Sequence, residues 1–365
     1  MFSDDERRHM ARALALAERG LWTTTPNPRV GCVIVAAGEV IGEGWHARAG
    51  EAHAETAALA DARAKGRESR GATLYVTLEP CNHHGRTPPC VDAVLAAGIG
   101  RVVAAMRDPT PAQGGGIERL RGAGVRVDVG LLEAEACALN AGFVSRVTRG
   151  RPWVRTKLAA SLDGRTALVS GESRWITGTA ARADGHAWRA RACAILTGAG
   201  TILHDDPRLT VRDVATTRQP LRVVVDRDAD TPPTARVLAD GNALLVTAGA
   251  RNDAWPATVE SLALADGDGR VDLAALLHTL AQRGINELHV EAGARLNGAL
   301  LRAGLIDEML VYVAACVIGD PARGMFDLAN PPSSLAQRVG LEWTSIERLG
   351  EDLRIVARVA RAERG

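Results

Sequence analysis

Short apolar runs that read as strands alternate with stretches of helical spacing along this chain, and the alternation breaks once and then restarts. That order points to mainly parallel sheets covered by helices on both faces. Ser3-Asp4-Asp5-Glu6 is a capping box that opens a first helix, with Met10, Leu14 and Ala17 on its apolar side and Gly20 ending it. Strands follow at 30–35, 40–44, 72–78, 102–105 and 125–129, with helices at 53–65, 89–97, 117–121 and 133–146. The break is Thr148-Arg149-Gly150-Arg151-Pro152, a polar hinge holding both Gly and Pro. Beyond it, strands are expected at 154–159, 193–197, 221–226, 243–246, 288–291 and 309–313, with helices between several of them. A length of 365 residues suits two cores better than one. The expected domains are therefore 1–149 and 150–365, both α/β.

Charge and cysteine usage exclude several classes of function. The formal net charge is +1 with no basic stripe, which argues against a nucleic-acid-binding protein. No uncharged apolar stretch reaches membrane-spanning length, and the first residues lack the apolar centre of a signal peptide. A cytoplasmic protein without membrane or nucleic-acid partners is expected. Six cysteines, at 32, 81, 90, 137, 193 and 316, are too few for a disulfide scaffold. Lys65 and Lys157 are the only lysines; unlike guanidinium, an amine titrates readily enough to donate a proton.

His53-Ala54-Glu55, Pro80-Cys81 and Cys90 form a chemical set. One imidazole and two thiolates give Zn2+ three protein ligands and leave a fourth position for water. Coordination lowers that water's pKa toward about 7, and an unliganded carboxylate, here Glu55, then carries its proton to a ring nitrogen and a leaving amine. This is deaminase logic. His53 and Glu55 are expected in one helix's first turn and Cys90 at the start of another, all facing a metal beyond the helix ends. A structural zinc site closed by His83 or His84 is the alternative, as is a Glu55 that merely faces solvent. Cys81 and Cys90 are separated by eight residues, where the compact signature has two. The insert from Asn82 to Pro89 adds His83, His84 and Arg86, groups suited to a substrate with hydroxyls and a phosphate.

With that loop, Pro26-Asn27-Pro28-Arg29-Val30-Gly31 and Gly44-Trp45-His46 complete a pattern that resembles the riboflavin biosynthesis deaminase–reductase family. The resemblance implies a cytidine-deaminase-like three-layer α/β/α domain at the N-terminus. It makes His53, Cys81 and Cys90 zinc ligands and Glu55 the proton shuttle. Asn27, His46, His83 and Arg86 would bind the aminopyrimidine or its ribose phosphate. On local chemistry alone, Asn27 reads equally as a turn residue between two prolines.

The second half offers less chemistry of its own. Glu291-Ala292-Gly293-Ala294-Arg295-Leu296-Asn297-Gly298-Ala299 places glycines between a strand and a helix start, where phosphate can approach backbone N–H groups, or where the chain simply turns. Together with segments 157–165, 171–177 and 201–210, this loop resembles the reductase half of the same family, whose fold is similar to dihydrofolate reductase. By that resemblance Ala159, Trp175, Thr201, Asp205 and Gly293, Ala294, Arg295, Leu296, Asn297, Gly298 and Ala299 would hold NADPH. Ser173, Arg189, Leu209, Arg212 and Glu291 would hold the substrate. Hydride goes to C1′ of the opened ribose, and Lys157 and Asp205 are the candidate acids. Lys157 also reads as a phosphate contact, Asp205 as a cap or turn residue, and Trp175 and Trp188 as core aromatics. Arg227, following Asp226, either meets the cofactor's 2′-phosphate or faces solvent.

The family resemblance implies two consecutive steps: deamination of 2,5-diamino-6-ribosylamino-4(3H)-pyrimidinone 5′-phosphate, then reduction of the ribosyl group. The expected partners are these small phosphorylated pyrimidines and further copies of the chain, a homo-oligomer. Two rivals are a nucleic-acid base deaminase with an accessory domain and a chain with one half reduced to a scaffold. The first lacks the basic, aromatic surface that strand binding needs; the second conflicts with the full set of site residues in both halves.

Overall fold

The computed structural model describes residues 2–85, 88–110 and 114–360, in two compact units, Met1–Gly150 and Arg151–Gly365. The first unit runs α1 (Asp4–Glu18), β1 (Gly31–Ala36), β2 (Glu39–Trp45), α2 (Ala54–Ala64), β3 (Thr73–Val76), α3 (Cys90–Ala96), β4 (Arg101–Ala104), α4 (Gly116–Gly122), β5 (Arg126–Val129), α5 (Glu133–Leu139) and α6 (Ala141–Arg149). The Ser3 capping box is present, with Ser3 and Glu6 each bonded to the other's backbone.

Its sheet has the order β2-β1-β3-β4-β5. β3, β4 and β5 are parallel, but β1 is antiparallel to both β2 and β3, so this sheet is mixed where a mainly parallel one was expected. A short β1–β2 turn explains the difference, because a hairpin can only join antiparallel strands. Helix α1 buries Met10, Ala13, Leu16 and Ala17. Helix α2 lies so close to β2 that a Cβ on Gly44 would sit 2.4 Å from the Ala58 nitrogen. The expected helix over 133–146 is two helices that meet at Asn140. That buried side chain accepts from the Arg29 N–H at 2.8 Å and donates to the Arg29 carbonyl at 2.9 Å, a tie that the local sequence does not announce.

The second unit runs β6 (Trp153–Ser161), β7 (Arg165–Ala167), α7 (Thr179–Arg191), β8 (Ala194–Gly198), α8 (Ala199–Asp205), β9 (Leu221–Val225), β10 (Ala243–Thr247), β11 (Glu260–Ala263), α9 (Leu273–Gln282), β12 (Glu287–Val290), α10 (Ala294–Arg302), β13 (Glu308–Ala314), β14 (Arg323–Gly324), β15 (Leu341–Leu349) and β16 (Asp352–Val359). β7 and β14 pair with each other, and the rest form one sheet in the order β11-β10-β9-β8-β12-β6-β13-β16-β15. The strands from β11 to β13 are all parallel, and the last three are antiparallel. Strand β12 returns late in the chain to sit between β8 and β6. Such a reversal of strand order opens a crevice at the carboxyl ends of the strands, where α/β folds bind ligands. Among the described residues, no helix is long and apolar enough to cross a membrane.

Candidate active sites

In the first unit, His53 is the N-cap of α2, in extended conformation one step before the helix, and not in its first turn as expected. That places its ring across from Cys90, the first residue of α3. His53 Nδ1 lies 3.1 Å from Cys90 Sγ and 3.5 Å from Cys81 Sγ. The three ligand atoms lie within 4.8 Å of one another, and the group contains neither His83 nor His84. A soft donor set of one imidazole and two thiols in this span fits Zn2+ with one position left open. The fourth-ligand alternative therefore has no support in the geometry. The Cys90 N–H donates to Cys81 Sγ at 3.3 Å. Cys81 is drawn down to about 4 by hydrogen bonding from Cys90, His53 and the Cys90 backbone, while Cys90 is pushed up by its bond to Cys81 and by burial.

Glu55 is 3 % exposed in the first turn of α2, so it does not face solvent. Burial pushes its carboxyl up to about 7. A group with that affinity both accepts and releases a proton near neutrality. Asn27 and His46 adjoin the cluster: Asn27 Nδ2 is 3.0 Å from His46 Nε2, and the His46 and His53 rings meet edge-on at 5.1 Å. His83 is half-buried, with Nδ1 lacking a partner. Arg86 lies outside the described residues.

In the second unit, the carboxyl ends of β6, β8 and β12 bring the expected reductase residues to one end of the sheet. Lys157 and Ala159 lie on β6; Gly198 and Thr201 lie at the junction of β8 and α8; Glu291 and Gly293 follow β12. Helices α8 and α10 begin at Gly198 and Gly293, and neither has a side-chain cap. Thr197 Oγ1 and Asn297 Oδ1 are buried there without hydrogen-bond partners. Free backbone donors and unsatisfied oxygens at this crevice fit a polar, phosphate-bearing cofactor. Arg295 and Leu296 both reach the start of α8, near Gly200 and Gly198 respectively. Gly293 caps its helix, but Gly298 lies inside it. A Cβ on Gly298 would sit 2.0 Å from the Asp327 carbonyl, so packing against that segment requires a residue without a side chain. Ala294 opens α10 and Ala299 lies within it.

Arg189 on α7 donates to both Glu291 oxygens, at 2.5 and 2.8 Å, and to the Thr210 carbonyl at 3.1 Å. Burial would raise the Glu291 carboxyl, but Arg189 overrides it and holds Glu291 far below the ordinary range. Half-buried Lys157 is pushed down by burial and held up by Glu291. Arg212 reaches the Thr210 hydroxyl at 3.3 Å, and Leu209 is buried beside it in the chain. Ser173 is half-buried in the loop before Trp175. Trp175 is 70 % exposed with Arg182 4.5 Å from its ring, so it is no core aromatic. Trp188 is half-buried against the Ala181, Leu310, Tyr312 and Val356 cluster, with Arg155 and Arg191 at 4.4 and 5.4 Å from its ring. Asp205 ends α8 and accepts no cap; Arg174 approaches its carboxylate at 3.7 Å and bonds its carbonyl. Arg227 is exposed and paired with Asp228.

Two residues at this end went unremarked in the sequence. His186 lies one helical turn before Arg189, with Nδ1 accepting from the Arg212 N–H at 3.3 Å; the i,i+3 spacing was its available signal. His289, two residues before Glu291 on one strand face, is fully buried with neither ring nitrogen hydrogen-bonded and Nε2 3.6 Å from Glu291 Oε1, and burial drives it down to about 3, leaving it neutral. Nothing in the sequence distinguishes it from a strand residue.

Residues 3–106 match the cytidine and deoxycytidylate deaminase zinc-binding region, and residues 152–355 match the RibD C-terminal domain. The chain is 48 % identical to the riboflavin biosynthesis protein RibD of Escherichia coli K12 over 359 residues, covering 94 % of this chain and 97 % of that one. The structure of Acinetobacter baumannii RibD is 41 % identical with a TM-score of 0.90, covering 98 % of this chain and 99 % of the other. A Thermotoga maritima diaminohydroxyphosphoribosylaminopyrimidine deaminase/5-amino-6-(5-phosphoribosylamino)uracil reductase is 35 % identical with a TM-score of 0.89 and the same coverage.

Proposed function

From the premise that the chain belongs to the RibD family of riboflavin biosynthesis proteins, a deaminase joined to a reductase that uses Zn2+ and NADPH, we propose how its residues divide the work. Residues 1–149 deaminate the diaminopyrimidine ribosyl phosphate, and residues 150–365 reduce the ribosyl group of the resulting aminouracil. The observation that carries this reading is the open His53, Cys81 and Cys90 triad beside a buried Glu55 whose carboxyl is raised to about 7.

His53, Cys81 and Cys90 hold the zinc ion, which supplies a Lewis-acidic position that makes water a nucleophile near neutral pH. Glu55 takes the first proton from the attacking water and delivers it to the ring nitrogen, then carries the second, from the new hydroxyl, to the amine that departs as ammonia. Asn27 and His46 orient the pyrimidine, while His83 and Arg86 meet its sugar phosphate. In the second unit Gly293–Ala299, Thr201, Ala159, Trp175 and Asp205 hold NADPH, which supplies the hydride. Arg189, Arg212, Leu209, Ser173 and Glu291 align the sugar. Lys157 donates the proton that accompanies reduction, in preference to Asp205, whose carboxylate faces Arg174.

Two wider assignments rest on narrower observations. None of the cysteines described forms a disulfide, the two metal thiols included, which suits a reducing cytoplasm. On one face of the β15–β16 end, Leu341, Trp343, Ile346 and Leu353 are exposed, Trp343 at 64 %. An apolar row of this kind favours a second copy as its cover, and light scattering of the purified chain tests that homo-oligomer.

The test of the main reading follows ammonia release and NADPH absorbance together on the diaminopyrimidine substrate. Ammonia should appear first and NADPH loss should follow after a lag. NADPH loss without ammonia would overturn the proposed order.

A further inference from the structure

We propose that helix α4 sets the spacing of the two metal-binding thiols, with Glu79 and Arg119 as its positioning residues. The inference rests on the reading of His53, Cys81 and Cys90 as the zinc site, and it concerns residues that touch neither metal nor substrate.

Glu79 lies two residues before Cys81 and is 4 % exposed. Its Oε1 accepts from the N–H groups of Gly115 and Ile117, at 3.0 and 3.1 Å, and its Oε2 from that of Asp108 at 3.1 Å. Its own N–H donates to the Met106 carbonyl at 2.9 Å. One buried carboxylate thus fastens the segment entering Cys81 to the end of β4 and to the start of α4. A carboxylate receiving several backbone donors is held far more firmly than a surface ion pair.

Arg119, on the same helix, grips the other side. Its Nη1 donates to Asn82 Oδ1 at 2.9 Å and its Nη2 to Asp92 Oδ1 at 2.5 Å. Asn82 follows Cys81 directly, and Asp92 lies two residues after Cys90. One planar guanidinium therefore spans both thiol segments, which a point-like ammonium would not do. Close packing supplies a third observation: a Cβ on Gly116 would sit 1.9 Å from the Pro80 carbonyl oxygen. The helix start is thereby pressed against the residue before Cys81. With eight residues separating the cysteines, the loop between them is too long to define their distance by itself; α4 replaces what a short loop would enforce.

The test uses the full-length chain, stripped of metal and reloaded with Co2+ as a spectroscopic probe, and with Zn2+ in competition against a chromophoric chelator. Glu79→Gln and Arg119→Met should each bind Zn2+ about tenfold more weakly, in the range for groups that orient ligands. The Co2+ visible bands should shift in position or intensity. NADPH oxidation on pre-deaminated substrate should remain at the wild-type rate, which separates loss of positioning from loss of the folded chain. If Glu79→Gln does not fold, Arg119→Met, at a half-exposed pair, carries the test. Wild-type affinity and unchanged bands in Arg119→Met overturn the proposal. A wild-type chain that takes up no Co2+ overturns the zinc reading itself, and this proposal with it.

Discussion

Asn27 donates from Nδ2 to His46 Nε2 at 3.0 Å, while His46 Nδ1 lies 3.0 Å from the Ala52 carbonyl. A carbonyl only accepts, so Nδ1 carries the proton and Nε2 offers its lone pair to Asn27. Burial, which pushes His46 down, keeps the ring neutral. The turn between two prolines is thus tied to the far end of β2, beside His53 of the His–Cys–Cys cluster. Asn27→Ala should raise the KM for deamination about tenfold, the cost of one net hydrogen bond, and leave zinc content unchanged. Ammonia-release kinetics with metal analysis decide it; loss of zinc would make Asn27 a support of the metal site instead.

Glu55→Gln keeps the shape of a buried side chain but cannot cycle a proton. Deamination should fall by about a hundredfold or more, as expected for loss of a positioned acid–base group. Zinc should stay bound, and reduction of pre-deaminated substrate should continue at its normal rate. Deamination at the wild-type rate would remove Glu55 from the mechanism.

Removing the metal with a strong chelator should abolish ammonia release and leave NADPH oxidation on pre-deaminated substrate intact. The donor sets explain why: the metal-ligand group among the described residues lies wholly in the first unit. Adding Zn2+ back should restore ammonia release. Parallel loss of both activities would place a metal requirement in the second unit as well.

Glu291 and Lys157 give a pH dependence of defined sign. As an acid, Lys157 works only while protonated, so reduction should fall as pH rises through its pKa. Burial lowers that pKa and the Glu291 carboxylate supports it. Glu291→Gln should therefore shift the alkaline limb of the rate profile to lower pH. A limb that stays in place while the rate falls would assign the titration to another group.

Asn140→Ala leaves the Arg29 N–H and carbonyl without their side-chain partner in a buried position. At about 1–3 kcal/mol for each of the two buried bonds removed, the first unit should lose roughly 2–6 kcal/mol of stability. Calorimetry should show its transition moving down. An unchanged transition would mean that water replaces the amide.

The deaminase chemistry was legible from spacing because zinc chemistry demands particular atoms: an imidazole, two sulfurs and a free carboxylate. What spacing does not reveal is the support. Glu79 reads as an ordinary acidic residue before Pro80, since its backbone donors come from Asp108, Gly115 and Ile117, far along the chain. Six of the seven parallel strands of the second sheet follow from strand–helix alternation, but the parallel edge strand β11 and the antiparallel β15 do not: β15 is exposed along most of its length and lacks the apolar pattern of a buried strand. Gly298 carries a second constraint that the sequence does not announce: its neighbour is the backbone of Asp327, which leaves no room for a side chain.

The late return of β12 has a consequence for how the chain is made. Every strand of the first sheet lies between Gly31 and Val129, so that sheet can close while the ribosome is still on the second half. Strand β6, starting at Trp153, has its sheet partners in β12 and β13, from Glu287 and Glu308 onward. At elongation rates of about 5–20 residues per second, its edges stay bare for roughly ten seconds. During that interval the first unit is already a finished body while the centre of the second waits. A nascent chain of this kind is therefore most exposed to misassociation in its reductase half, through the strand that later carries Lys157.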